Sequence, residues 1–119
     1  AGNGQHTKMC NQIAIAGALS GACEALAYAN AVGLDPQTML DSISTGAAGS
    51  AQMSNVATRI LKGDLQPGFF VKHFIKDMKL ADEEALAEHT KLVLGMYEKL
   101  QEEGLGDLGT QALIKYYEK

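Results

Sequence analysis

Apolar residues recur at helical spacing along almost the whole chain, and no stretch alternates convincingly with period 2 as a strand would. The most apolar segment, residues 13–33, reads IAIAGALSGACEALAYANAVG. Its dense alanine predicts a first helix from about Gln5 to Val32, with Gly33 as the residue just past its end. Asp35-Pro36 is a helix start, Asp35 as cap and Pro36 at the first helical position. The second helix covers about 36–44 and turns Met39, Leu40 and Ile43 inward. The small residues from Thr45 to Ser50 predict a loop. Ser50 is placed to cap a third helix over about 51–62, which buries Met53, Val56 and Ile60 and ends at Gly63. DLQPG at 64–68 is a turn-rich link. A fourth helix follows from about Val71 to Glu88, with Phe70, Phe74, Met78 and Ala81 as its apolar stripe. A fifth spans about Leu92 to Glu103, carries Val93, Met96, Tyr97 and Leu100, and stops at Gly104. Thr110 is placed to cap a short last helix through Tyr117. The pattern predicts one all-α domain over residues 1–119, a helical bundle around one long central helix.

The central helix raises two questions of its own. Gly17, Gly21 and Ala25 fall at i, i+4 and i+8, a row of small residues that lets another helix approach closely. Five short helices do not readily cover so apolar a rod, which predicts a homodimer or higher homo-oligomer. Its length also invites a membrane reading. Glu24, Tyr28 and Asn30 interrupt it, and the unbroken apolar run of about 11 residues falls short of the roughly 20 that a span requires. A central helix of a soluble domain, with no membrane partner, is the expectation.

Composition narrows the classes further. The 119 residues, 46% hydrophobic and 20% charged, are ordinary for a globular domain. A net charge of −4 argues against nucleic acid as the default partner. Cys10 and Cys23 lie on the predicted first helix about 20 Å apart by helical rise, too far to bridge. Two free thiols and no signal-peptide pattern fit a reducing cytoplasm. The chain lacks a starting Met and enters a helix at once, so a further upstream segment is expected. His6, His73 and His89 show no metal spacing, and no metal site is expected.

Candidate chemistry sits at the two ends of the apolar pattern. Gly2 and Gly4 have the spacing of a Gly-rich phosphate loop, but Thr7 stands where its third glycine belongs. Behind them, Lys8, Asn11 and Gln12 fall at i, i+3 and i+4 and share a helix face that Ile15 and Leu19 continue inward. A lysine entering an apolar stripe is expected to be partly desolvated, which lowers its pKa and suits proton transfer near neutrality. On spacing alone, a snorkelling lysine with two solvated amides is the commoner outcome. Lys72, Lys76 and Lys79 line one side of the fourth helix; they either meet phosphate or form a solvated face, the commoner case. Asp77 turns toward the flank of that helix's apolar stripe.

Two separated motifs give these residues a context. Gly2-Asn3-Gly4-Gln5-His6-Thr7-Lys8-Met9-Cys10-Asn11-Gln12 matches Gly-x-Gly-x-x-x-Lys-x-x-Asn-(Asn/Gln) throughout. Phe69 followed by Lys76-Asp77-Met78-Lys79-Leu80-Ala81 matches a second signature, and Gly33-Leu34-Asp35-Pro36, Gly106-Asp107 and Ala112-Leu113 also fit. Together they resemble the C-terminal half of the β-hydroxyacid dehydrogenases, which include 3-hydroxyisobutyrate dehydrogenase, tartronate semialdehyde reductase and glyoxylate/succinic semialdehyde reductase. The resemblance implies the helical fold of the 6-phosphogluconate dehydrogenase C-terminal domain and a small hydroxyacid or semialdehyde substrate. It implies NAD or NADP as cofactor, bound mainly by an N-terminal Rossmann domain that this sequence does not contain. Lys8 would be the catalytic lysine. Asn11 and Gln12 would orient substrate, Phe69 and Asp77 would line the site, and Lys76 would face the cofactor.

A 6-phosphogluconate dehydrogenase would carry His then Asn after Lys-x-x and a far longer helical domain, and imine reductases usually replace the lysine. A non-catalytic helical dimerisation or scaffold module of the same fold is the reading from a different class. One departure stands out. The family usually has more residues between Asp77 and Tyr97, commonly with a Leu-Pro turn, whereas this chain has Glu88 to Leu94 and no proline.

Overall fold

In the computed structural model, which describes residues 2–84 and 88–118, one helix sets the frame. This is α1, Gly2–Val32, and its side chains are apolar on more than one side. Ala16, Leu19 and Cys23 are fully buried in a main core, while Ala22 and Leu26 belong to a second one. Helix α1 begins three residues before the predicted Gln5. Propagation adds a backbone bond for each residue fixed, so two glycines costing about 1 kcal/mol each do not stop a helix of this length. The Thr7 hydroxyl donates to the Asn3 carbonyl at 2.8 Å within that first stretch. By length and composition α1 is apolar enough to cross a membrane, yet it serves here as the shared wall of both cores.

Three helices end as their glycines predict. Gly33, Gly63 and Gly104 have φ of 80°, 73° and 84°, the left-handed region where a side chain is disfavoured. The next residue then bonds back over the last turn: Leu34 N–H to Ala29 O, Asp64 N–H to Arg59 O and Leu105 N–H to Leu100 O, at 2.9 to 3.0 Å. Helix α2, Pro36–Ile43, starts at Asp35, whose carboxylate accepts from the Thr38 amide at 3.0 Å and the Thr38 hydroxyl at 2.8 Å. Those bonds hold the Asp35 carboxyl below its usual range, the hydroxyl bond contributing most. Ser50 caps as predicted, its hydroxyl accepting from Met53 N–H at 2.9 Å.

The third predicted helix is real but opens differently. Gln52–Val56 is wound as a wider π-type turn that runs into α3, Ala57–Leu61. The wider turn shifts the register of the inward face. Met53 is buried as predicted, but Ala57 is the fully buried residue, and Val56 and Ile60 sit half-buried at the rim. Helix α4, Val71–Glu84, buries Val71, Phe74, Ile75, Met78 and Ala81. Phe70 lies outside that stripe: it precedes the helix, half-buried, and its carbonyl accepts from Phe74 N–H at 3.0 Å. Helix α5, Glu88–Glu102, already includes Glu88 and His89, which the sequence placed before it. Residues 85–87, where the unusual junction falls, lie outside the described residues. Val93, Leu94, Tyr97 and Leu100 carry α5 into the main core.

The last segment, Thr110–Tyr117, is a 3-10 helix. Thr110 does not cap it; Gly109 holds the cap position without a side-chain bond. The Thr110 carbonyl instead accepts from the Tyr97 hydroxyl at 2.7 Å, the partner that a fully buried phenol requires. Just before it, residues 106–111 clamp the link between α3 and α4. Gly109 N–H bonds Leu65 O and Thr110 N–H bonds Phe69 O, both at 2.9 Å. The buried Gln111 amide donates to Asp64 O at 3.0 Å and Gln66 O at 2.9 Å. Among the described residues there is no strand, only a single bridge between Phe70 and Gly109.

The small-residue row of α1 faces outward. Among the described residues no helix covers Gly21, and a methyl group added there meets no atom within 4 Å. The row forms the floor of a groove of about 610 Å³ walled by Tyr28, Leu34 and Leu92. Those three side chains are 66%, 53% and 61% exposed.

Two expected outcomes follow from this packing. At Gly109 a Cβ would press on the Gln111 side-chain oxygen and stand 2.8 Å from Gln66 O. Gly109→Ala is therefore expected to cost about 1–3 kcal/mol of stability by overpacking, read as a lower urea midpoint; an unchanged midpoint would show that the clamp yields freely. Cys10 is exposed, while burial pushes the Cys23 thiol up to about 12. A thiol reagent is expected to titrate one cysteine quickly in the native chain and both in denaturant, since the thiolate is the reactive form. Two fast thiols in the native chain would contradict the burial of Cys23.

Candidate active site

Four of the six residues singled out by sequence meet where α1 crosses α4. Lys8 and Gln12 lie one turn apart on α1 and reach the same carboxylate, Asp77. Asp77 stands among the buried apolar positions of α4, between Phe74 and Met78, and only 9% of it is exposed. A carboxylate that far from water needs a donor, and Gln12 supplies one: its Nε2 donates to Asp77 Oδ2 at 2.8 Å. The other oxygen, Oδ1, points outward and lies 3.9 Å from Lys8 Nζ, an ion pair rather than a close hydrogen bond. Asn11 joins from the rim, its Nδ2 donating to Gln12 Oε1 at 3.1 Å. Asn11 is itself exposed, and its own carbonyl oxygen remains available to a ligand.

The desolvation expected for Lys8 is not supplied by this chain. Its side chain is 60% exposed, and its neighbour is a carboxylate rather than an apolar wall. Every described residue before it is exposed, and Met9 is the first to be buried. No close backbone approach occurs at Gly2 or Gly4 within the chain: an added methyl at Gly4 meets nothing within 4 Å, and one at Gly2 meets only the His6 ring at 3.4 Å.

Phe69 and Lys76 stand apart from that cluster. Phe69 is 40% exposed, with its ring edge-on to Phe74 at 5.9 Å and tilted to His73 at 6.3 Å. Its backbone is fixed by the bond from Thr110 to its carbonyl. It therefore stands at the start of α4, two turns before Asp77. Lys76 is exposed and, among the described residues, has no carboxylate partner. Its neighbours on the same stripe are both paired, Lys72 with Asp107 and Lys79 with Glu98. Among the described residues, no group of three or more His, Cys, Asp or Glu side chains is placed to hold a metal.

Sequence reasoning missed one polar contact. Ser20 Oγ lies 3.3 Å from His89 Nε2 and also donates to the Gly17 carbonyl at 3.1 Å. The pair docks the start of α5 on α1. The two residues are 69 apart, and no local pattern announces the contact.

Comparison with known proteins identifies the family and the fold. The sequence profile described as the NAD-binding domain of NADP-dependent 3-hydroxyisobutyrate dehydrogenase matches residues 2–117. The chain is 52% identical over 124 residues to an uncharacterized oxidoreductase, YkwC, of Bacillus subtilis, covering all of this chain and 43% of that protein. It is 43% identical over 123 residues to probable 3-hydroxyisobutyrate dehydrogenase-like 1 of Arabidopsis thaliana, covering 99% of this chain and 37% of that one. Among solved structures, 3-hydroxyisobutyrate dehydrogenase from Salmonella typhimurium superposes with a TM-score of 0.84 at 28% identity, over 92% of this chain and 40% of that one. The Mycobacterium tuberculosis 3-hydroxyisobutyrate dehydrogenase, solved with L-serine, gives 0.82 at 25% identity, over 97% and 43%. The chain thus spans about two fifths of the length of the relatives it matches. With an all-α fold, a profile match along nearly its whole length and a relative 52% identical, the chain belongs to the 3-hydroxyisobutyrate dehydrogenase family of NAD(P)-dependent oxidoreductases.

Proposed function

We propose that this domain supplies the proton-transferring lysine of an NAD(P)-dependent 3-hydroxyacid dehydrogenase or semialdehyde reductase. The observation that carries this reading is the placement of Lys8: an exposed ammonium 3.9 Å from a carboxylate that is itself buried and hydrogen-bonded. The nicotinamide, when bound, supplies or accepts the hydride. Lys8 acts on the substrate oxygen. In reduction its ammonium gives a proton to the oxygen on which charge develops, and in oxidation the neutral amine takes the hydroxyl proton. Asn11, with its free carbonyl oxygen at the rim, orients the hydroxyacid. Phe69 covers the substrate from the start of α4, and Lys76 is the residue that would hold a cofactor phosphate. The desolvation that such chemistry needs, and the choice between NAD and NADP, lie with a nucleotide-binding half outside this chain.

The decisive experiment joins this domain to an upstream nucleotide-binding half and compares Lys8→Ala with the parent on small 3-hydroxyacids and semialdehydes. A fall in turnover of about 10²-fold or more is expected, within the usual worth of a general acid, with cofactor affinity retained. The 119-residue chain alone is expected to show no turnover with either cofactor. Near-parental activity of Lys8→Ala would overturn the reading and favour a snorkelling lysine with no part in the chemistry.

We further propose that the domain pairs with a second copy through the open groove on α1. The support is a largely apolar groove floored by Gly21 and Ala25, with Gly17 beside His89 at its edge, beneath exposed Tyr28, Leu34 and Leu92. Gly21→Leu has room in the single chain, since nothing lies near its Cβ, but it fills the floor of the groove. Sedimentation equilibrium is expected to show a dimer or larger assembly for the parent and a folded monomer for Gly21→Leu. A compact parent monomer would overturn the proposal.

A further inference from the structure

We infer that Gln12 is a positioning residue: it anchors the Asp77 carboxylate from the core side and thereby fixes where Lys8 holds its ammonium. This rests on the reading of Lys8 as the proton-transferring group. By sequence Gln12 is equivalent to Asn11, a second amide on the same helix face available to orient substrate. The packing separates them. Asn11 is exposed, whereas Gln12 is only 8% exposed and both ends of its amide are engaged. Its nitrogen donates to Asp77 Oδ2 at 2.8 Å, and its oxygen accepts from Asn11 at 3.1 Å. Little of Gln12 is left for a ligand to touch.

The geometry gives the anchoring a consequence. The two oxygens of Asp77 do different work: Oδ2 turns inward to Gln12, and Oδ1 turns outward to Lys8. The plane of a carboxylate is set by its shortest, least exposed bond, because a charge-assisted contact in low dielectric is worth more than a solvent-screened one. Here that bond is the one to Gln12. The Lys8 pair, at 3.9 Å with a 60% exposed ammonium, is too weak to orient the carboxylate by itself. If the inner bond is removed, Oδ2 is left buried without its donor, so the carboxylate must turn toward water and carry its outer oxygen away from Lys8. Lys8 then loses its fixed counter-charge, although no residue that touches the reacting atoms has changed. Gln12 and Lys8 are four residues apart, which is why one carboxylate on the facing helix reaches both.

The test uses Gln12→Met, close in shape but without donor or acceptor. In the 119-residue chain, the side-chain carbon and nitrogen NMR signals of Lys8 and the carboxyl signal of Asp77 are expected to shift together. Met53→Ala, in the second core and away from α4, is the control: it lowers the melting temperature without moving those signals. This readout does not depend on turnover, so a failure of the functional reading cannot be mistaken for a failure of this one. In the two-domain protein, Gln12→Met is expected to lower kcat about tenfold or more, the scale of a small misplacement of a catalytic group, with substrate KM within about twofold. Gln12→Glu, which keeps the shape but faces Asp77 with a second carboxylate, is expected to lower kcat at least as far. Unmoved Lys8 and Asp77 signals in Gln12→Met would overturn the inference. So would a tenfold rise in KM at unchanged kcat, which would make Gln12 a substrate ligand after all.

Discussion

A 31-residue helix that is apolar on several sides cannot present all of them to water, and most of the fold answers that constraint. Helices α4 and α5 and the closing 3-10 helix cover the flank that carries Ala16, Leu19 and Cys23. Helix α2 and the π-wound entry to α3 cover the flank that carries Ala22 and Leu26. Both groups reach the edges of the row at Gly17, Gly21 and Ala25, with the His89 ring beside Gly17, but at Gly21 it stays open. The division explains why the short helices need firm ends. Each must stop and turn back within a few residues to stay on α1, and the left-handed glycines at 33, 63 and 104 make those turns without strain.

The same constraint fixes where the polar chemistry can sit. Asp77 occupies a position on α4 whose neighbours face the core, so its charge is tolerable only with a buried donor opposite. That donor must come from α1, and Gln12 is the residue one turn inside the helix's exposed end that supplies it. The crossing of α1 and α4 and the orientation of the site are therefore one interaction seen from two sides. On the far side of α4, the clamp from Gly109 to Gln111 holds the link that ends in Phe69, so the aromatic wall is set by the closing segment and not by its own helix.

What the sequence makes legible divides along the same line. Helix ends were readable where their causes are local: Asp35 before Pro36, Ser50 before its helix, a glycine after the last turn of three helices. The family motifs located Lys8 and Asp77 without showing that they touch. The phase of α3 was not readable, since a π-type turn moves the inward face from Val56 and Ile60 to Ala57 without a sequence mark. The buried stripe of α4 was half readable: Phe74, Met78 and Ala81 were found, but Val71 and Ile75 belong to it and Phe70 does not. Gln12 looked equivalent to Asn11 because spacing along one helix records which residues share a face, not which of them meets a partner 65 residues away. The role of Thr110 was misread for the same reason: a capping side chain is a local signal, whereas the Tyr97 hydroxyl that claims its carbonyl is not.

Two surfaces of α1 remain uncovered, and they differ in kind. The first turns, up to Lys8 and Asn11, are exposed and polar, with Met9 alone turned inward. The groove begins at Gly17 and is apolar. From Lys8 to Gly17, where the groove begins, is 9 residues, about 14 Å along the axis at helical rise. Their chemistry asks for different occupants. An ammonium beside a carboxylate gains little from an apolar cover, because a screened pair becomes an expensive one when buried without further partners. It is suited instead to a wall that brings its own polar groups, as a nucleotide-binding half does. A row of glycine and alanine flanked by Tyr28, Leu34 and Leu92 is mostly apolar, with Glu24 and the Ser20–His89 pair as polar groups beside it, and its small residues suit close approach of another helix. The one helix thus presents a polar surface at its first turns and a mostly apolar groove further along, two faces whose chemistry asks for different cover.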